Sequence, residues 1–257
     1  MTNMPSSPNP DITAGGLPGV RPGSGAMFDR IARRYDLINR LMSGGLDILW
    51  RRRTVRSLAL GGEPSKVLDL ATGTADLALE TARSENRTQV VGIDPSAEML
   101  AVGRRKITAA GLDGRIELRT GSAESLPFDD DSVDGVTIAW GIRNVADRPA
   151  ALREMARVTR PGGRVAILEA TEARGLLGRP ARFYVHHVVP RIGALLSGAA
   201  EYRYLQSSIE AFPPPEDFAD MMRQNGLDIV EVVPMIAGVT HLFVGTPTVS
   251  ENPGGVR

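Results

Sequence analysis

The stretch VLDLATGTAD (67–76) runs from an apolar strand through Gly73 into a helix, and the fold is read outward from it. Glycine lets the backbone approach a ligand closely, and the helix that follows offers unpaired N–H groups at its start. Taken alone, one glycine at such a turn is equally what a tight connection with no ligand would show. The next strand, VVGIDPS, adds a second signal, because it ends in Asp94, 21 residues after Gly73. An acidic side chain about 20 residues beyond the glycine turn is where nucleotide-binding α/β folds grip ribose hydroxyls. A carboxylate can accept from both hydroxyls of that diol. The competing reading of Asp94 is a cap for the helix beginning SAEML, since Asp and Ser are both good N-caps.

Strands and helices alternate from residue 66 onward. KVLDLA, TQVVGID, RIELRTG, VDGVTIA and GGRVAILEA read as strands, separated by GTADLALETARS, SAEMLAVGRRKITAAG and RPAALREMARVTR as helices. Near-continuous apolar strands between helices predict a mostly parallel sheet with helices on both faces. LDIVEVVPMIAG and THLFVGT read as an antiparallel pair closing that sheet. Ahead of it, MFDRIARRYDLINRLM carries apolar residues at spacings of three and four, which predicts an amphipathic helix over 27–42 ended by Gly44-Gly45. LDILWRRRTVRSLAL predicts a second helix, with Arg51, Arg52 and Arg53 as a solvated face. The irregular segment 171–211 interrupts the alternation and is expected over the carboxyl ends of the strands. Pro-, Gly- and Ser-rich residues 1–25 and the end at 248–257 are expected to be disordered tails, leaving one domain over 26–247.

Composition narrows the function. Basic and acidic residues balance at 30 each, so no global charge favours nucleic acid. Without cysteine, disulfides, thiolate catalysis and Cys-ligated zinc are excluded. His186 and His187 are neighbours with no carboxylate pattern around them that resembles a metal site, so no metal is expected. Neither a signal peptide nor a membrane-spanning run of about 18 apolar residues is read, which predicts a cytoplasmic protein. Only Lys66 and Lys106 are lysines among the 30 basic residues, a bias read as a property of the genome.

The first turn also limits the nucleotide. A dinucleotide fingerprint needs two further glycines where Ala75 and Ala78 stand, and no Gly-Lys-Ser/Thr follows the strand. Asp69 and Asp76 place carboxylates that would repel a pyrophosphate and attract a cationic ligand.

VLDLATGTAD, GIDPSAEML, GSAESLPFDDDSVDGVTIAWGIRNV and EMARVTRPGG together closely resemble class I S-adenosylmethionine-dependent methyltransferases. More narrowly they are similar to the family that methylates quinone rings in menaquinone and ubiquinone biosynthesis. MFDRIARRYDLINRLMSGGLDILWRR and EYRYLQSSIEAFP match that family's early and late signatures, and the resemblance covers roughly residues 26–245. It implies a Rossmann-like α/β fold with a mostly parallel seven-stranded sheet, an antiparallel C-terminal strand and a helical cap built from 26–60 and 171–211. It implies S-adenosyl-L-methionine as cofactor, with Thr74, Asp94, Ser122 and Ala123 at the family's cofactor positions. Asp69, Gly73 and Asp76 fall in the same first-motif pocket, and Ala139 stands where the family often has a Ser. Ala75 stands where the family often has a second glycine, and GVTHLFVGTP lacks the expected basic ending.

The implied reaction transfers a methyl group to the ring carbon of demethylmenaquinol, giving menaquinol. AWGIRNV (139–145) follows the fourth predicted strand, at the carboxyl edge beside the cofactor pocket. Arg143 stays protonated and is expected to stabilise a phenolate rather than act as base. Asn144 is expected to orient a quinol oxygen or a water, and Tyr202 to belong to the substrate cap, with Tyr204 and Tyr35 as further candidates. The plain alternative for Arg143 is a surface ion pair with Asp147 or Glu154; for the tyrosines it is core packing. A prenylated naphthoquinol as substrate predicts peripheral contact with the inner face of the membrane, through the 27–42 helix and 176–200, for which ordinary core helix is the plainer reading, and a homodimer stays open. Competing functions are ubiquinone-pathway methylation of a methoxy-benzoquinol, methylation of another small aromatic or lipid, and a non-catalytic quinone-binding relative. A nicotinamide dehydrogenase is disfavoured by the failed glycine pattern.

Overall fold

The computed structural model describes residues 32, 34–172, 199–236 and 238–249. The expected tail at 1–25, the end from residue 250, and 173–198 with His186 and His187 lie outside the described residues. In chain order the elements are α1 (Tyr35–Met42), α2 (Asp47–Ser57), β1 (Ser65–Leu70), α3 (Asp76–Ser84), β2 (Thr88–Asp94) and α4 (Ala97–Ala109). They continue with β3 (Ile116–Thr120), β4 (Val133–Ala139), a 3₁₀ turn (Ile142–Asn144), α5 (Arg148–Val158) and β5 (Thr159–Ala170). The chain closes with α6 (Ala199–Glu210), α7 (Pro215–Gln224), β6 (Leu227–Met235) and β7 (Thr240–Pro247).

Seven strands form one sheet in the order β3-β2-β1-β4-β5-β7-β6. β1 pairs in parallel with both β2 and β4, and β3 and β5 continue outward in parallel. β7 is antiparallel to both β5 and β6, so it alone runs against the rest. The expected antiparallel pair is therefore present, but the last strand is inserted between β5 and β6. The strand order reverses between β1 and β4. Carboxyl ends of strands at such a reversal leave a crevice, because their connections depart to opposite faces. Leu70 pairs with Ile138 there, which sets ATGTAD beside AWGIRNV.

Alternation along β7 divides the core. Leu242 and Val244 pack with Leu58, Val67, Ala166 and Leu168 on one face. Phe243 enters the other face with Leu152, Met155 and Phe218. Phe218 lies 4.9 Å, ring to ring, from both Phe212 and Phe243, and all three are buried. This aromatic cluster anchors α7, whose other side meets solvent. Only part of the predicted Arg51–Arg53 face is solvated. Arg51 is 6% exposed and pairs with Asp47, whereas Arg52 and Arg53 reach Glu80 and Glu231 at the surface.

Phe218→Ala removes the centre of the aromatic cluster, and large-to-small changes of this kind cost about 3–5 kcal/mol. Urea unfolding is expected to show that loss as a lower midpoint. A change under about 1 kcal/mol would mean that the cluster does not hold α7.

Candidate functional site

Asp94, at the end of β2, closes the first turn. Its Oδ2 accepts the Gly73 N–H at 2.8 Å and its Oδ1 accepts the Ser96 N–H at 2.8 Å. The helix cap is Ser96, which accepts from the Met99 N–H at 3.1 Å. Asp94 is thus a tie between two turns rather than the cap that the sequence also allowed. The turn itself is tight, since Ala71, Gly73 and Ala75 all have positive φ (47°, 56° and 66°). For alanine that conformation costs about 1–2 kcal/mol. Ala75 stands where a glycine was expected, and its fully buried methyl fits against Gly103, where an added Cβ would come within 3.2 Å of it.

A cleft opens at the β1/β4 reversal. Gly73, Asp94 and Met99 line one side, Gly121, Ser122 and Ala123 another, and Ala139, Trp140 and Asn144 the third. Tyr35 reaches in from α1. Five of the predicted cofactor residues therefore share one cleft: Gly73, Asp94, Ser122, Ala123 and Ala139. Among the described residues Asp94 is the only charged side chain lining it. Gly141 is required for closure, because a Cβ there would lie 2.5 Å from the Ala71 methyl.

Asp69, Thr74 and Asp76 do not line the cleft. Asp69 is buried beneath it, accepting the Thr72 hydroxyl at 2.6 Å and the Thr137 hydroxyl at 2.8 Å. Burial pushes its pKa up to about 6, against the hydrogen bonds from Thr72, Thr137 and the Ala78 amide that favour the charged form. The Thr74 hydroxyl donates to Asp36 on α1. Asp76 is committed to Lys106 and lies 3.5 Å from Arg51. Both cations beside its carboxylate thus come from the chain itself.

Arg143 is 6% exposed and lies behind the cleft wall. Its Nη1 donates to Glu169 Oε1 and to the Trp140 carbonyl, each at 2.6 Å, and its main-chain N–H donates to Glu169 Oε2 at 3.1 Å. The alternative of a surface pair is not what forms: Asp147 caps α5 and Glu154 holds Arg157. Burial works against the guanidinium charge, but Glu169, Tyr35 and Tyr204 more than offset it and hold its pKa above the ordinary value. Nη2 takes no partner among the described residues. Asn144 lines the cleft and accepts the Tyr204 hydroxyl at 3.1 Å, linking the wall to α6. Tyr202 lies in α6, but its side chain is outside the described residues. Glu169 and Lys106 were missed in the sequence. A buried acid ending the run VAILEA was the available signal for the first, and a rare lysine for the second.

Comparison with known proteins gives a consistent picture. Residues 23–247 match the model of the ubiE/COQ5 methyltransferase family. A protein of Syntrophotalea carbinolica called ubiquinone/menaquinone biosynthesis C-methyltransferase UbiE is 46% identical over 228 residues, 88% of this chain and 95% of that protein. A demethylmenaquinone methyltransferase of Deinococcus radiodurans is 48% identical over 221 residues, 85% of this chain and 90% of the relative. The crystal structure of a putative S-adenosyl-L-methionine-dependent methyltransferase from Methanococcus maripaludis has a TM-score of 0.64 at 14% identity. It covers 88% of this chain and 96% of its own, a likeness of fold.

The raised pKa of Asp69 has a definite sign. The folded state binds this proton more tightly than the unfolded one. Its contribution to stability is therefore fully present below about pH 4 and lost as pH rises through about 6. The gap between an ordinary carboxyl near 4 and one near 6 corresponds to roughly 3 kcal/mol. Stability measured between about pH 4 and 7 is expected to lose that downward component in Asp69→Asn. An unchanged pH profile would mean that Asp69 is ionised as readily as in the unfolded chain.

Proposed function

The chain belongs to the ubiE/COQ5 methyltransferase family, and from that premise we propose that it methylates the ring carbon of demethylmenaquinol to give menaquinol. It is an S-adenosyl-L-methionine-dependent C-methyltransferase of quinone biosynthesis, and its substrate is a quinol. The observation that carries the reading is the cleft at the β1/β4 reversal, where one carboxylate faces a wall of aromatic and amide groups. That lining suits the cofactor. Asp94 can accept from ribose hydroxyls, Ser122 and Ala123 leave room for a flat base, and among the described residues no Arg or Lys lines the cleft to bind a pyrophosphate. Met99, Ala123 and Val145 supply apolar surface for the base.

When bound, S-adenosylmethionine supplies an electrophilic sulfonium methyl that an electron-rich ring carbon can accept. Asp94 would hold the ribose, and Thr74, whose hydroxyl is engaged by Asp36, would contribute through its main chain. Asn144 gives its oxygen to Tyr204 and one amide N–H, at 3.5 Å, to the Trp140 carbonyl, so its second amide N–H would orient a quinol oxygen. Arg143 cannot take the hydroxyl proton, because Glu169, Tyr35 and Tyr204 favour its charged form. Its positive charge, held behind the Trp140 carbonyl in the cleft wall, would stabilise the phenolate as the proton leaves. Fixed charges of this kind, already oriented before reaction, are among the largest contributions to rate. Tyr202, on α6 with Tyr204, belongs to the same proposed cap.

The prenylated naphthoquinol and its place at the membrane are part of the proposal. Among the described residues no helix is long and apolar enough to cross a membrane. Leu37 and Leu41 on α1 and Leu49 on α2 are exposed large apolar side chains, which supports contact with the cytoplasmic membrane surface. The name of the Syntrophotalea relative favours a second substrate, the methoxy-benzoquinol of ubiquinone synthesis.

Reduced demethylmenaquinone incubated with methyl-labelled cofactor is expected to yield labelled lipid, and a benzoquinol acceptor in parallel measures the second reading. A preparation that binds cofactor yet labels neither would remove the proposal. Arg143→Ala is expected to lower kcat by about 10²-fold, on the scale of one lost transition-state contact, with cofactor affinity retained.

A further inference from the structure

Lysine is rare in this chain, and one of its two lysines sits at a junction of three elements. Lys106 Nζ, on α4, donates to Asp36 Oδ2 on α1 at 2.7 Å, to Thr74 Oγ1 in the first turn at 3.3 Å, and to Asp76 Oδ1 at the start of α3. Thr74 in turn donates to Asp36. An ammonium offers three donors splayed around one point charge, whereas a guanidinium offers its donors in one plane. Three acceptors arriving from three elements match the former. In a chain that otherwise uses arginine for nearly every cation, that geometry is a physical reason for lysine at this position.

The consequence reaches the cleft through Asp36. The next residue back, Tyr35, lines the cleft, so whatever holds Asp36 also holds Tyr35 there. We propose that Lys106 is a positioning residue: it clasps α1 to the cofactor turn and thereby seats Tyr35 over the bound cofactor. Without the ammonium, Asp36 and Asp76 face one another near Thr74 with, among the described residues, Arg51, 3.5 Å from Asp76, to offset them. The Lys106 side chain is 27% exposed, so solvent ions reach the clasp and weaken it. This inference rests on the reading of the cleft as the S-adenosylmethionine site.

Calorimetric binding of S-adenosylhomocysteine tests it without turnover. Lys106→Met and Asp36→Asn are each expected to weaken binding about tenfold, and the double variant to lose no more than either alone, because one clasp is broken once. Lys106→Arg is expected to fall short of wild type. Raising salt from about 0.05 to 0.5 M is expected to weaken wild-type binding and to leave Lys106→Met nearly unchanged. At saturating cofactor kcat is expected to stay within about threefold, with the loss in the cofactor KM. Wild-type affinity in Lys106→Met, additive losses in the double variant, or full affinity in Lys106→Arg would overturn the clasp. Failure of the wild-type chain to bind would instead overturn the cofactor reading on which it rests.

Discussion

One carboxylate ties together the two turns on which the site is built. Asp94 accepts an N–H from Gly73 and another from Ser96, so the turn after β1 and the turn after β2 cannot move apart. Hydrogen bonds to an ionised group are the stronger kind, each contributing about 1.5–3 kcal/mol. They offset the strain that Ala71 and Ala75 store in positive φ, and they leave a buried acid facing the cleft. The same group that shapes the turn thus also lines the cleft. Placement follows from topology, because β1 is the strand at which the sheet order reverses.

Polar groups at this edge of the sheet are buried more deeply than stability alone would favour. Glu169 is fully buried with Arg143 against it, and Asp69 lies beneath the turn with two threonines. Replacing a buried ion pair with apolar residues often leaves a protein as stable or more so, which makes such a pair weak evidence for stability. What the Arg143–Glu169 pair does is fix backbone. Glu169 holds the Arg143 amide, and Arg143 holds the carbonyl of Trp140, itself at φ 53°. Strain and buried charge together pin the wall that carries Asn144. Fixed dipoles and charges, oriented before reaction, are what a methyl transfer draws on from the protein.

Much of this was legible in residue order. The alternation of apolar runs and helical patterns gave the parallel sheet, because central strands buried on both faces must be apolar throughout. Gly73 and Asp94 located the cleft, since that pair reflects backbone geometry common to the fold. Long-range pairings were hidden. Nothing local says that β7 inserts between β5 and β6, or that Arg143 finds its partner 26 residues on at the end of β5. The partners of Asp76 and Thr74 were hidden in the same way, because Arg51, Lys106 and Asp36 come from α2, α4 and α1. A charged residue's partner is a tertiary fact, and spacing alone cannot supply it.

The central claim is that Asp94 both closes the first turn and grips the cofactor. Asp94→Asn keeps the shape but replaces one accepting oxygen with a donor, so one N–H loses its partner and the diol loses a charged acceptor. Calorimetry with S-adenosylhomocysteine is the direct measurement. An affinity at least about hundredfold below wild type is expected, the equivalent of one charged hydrogen bond or more. Wild-type affinity in a folded Asp94→Asn protein would contradict the claim.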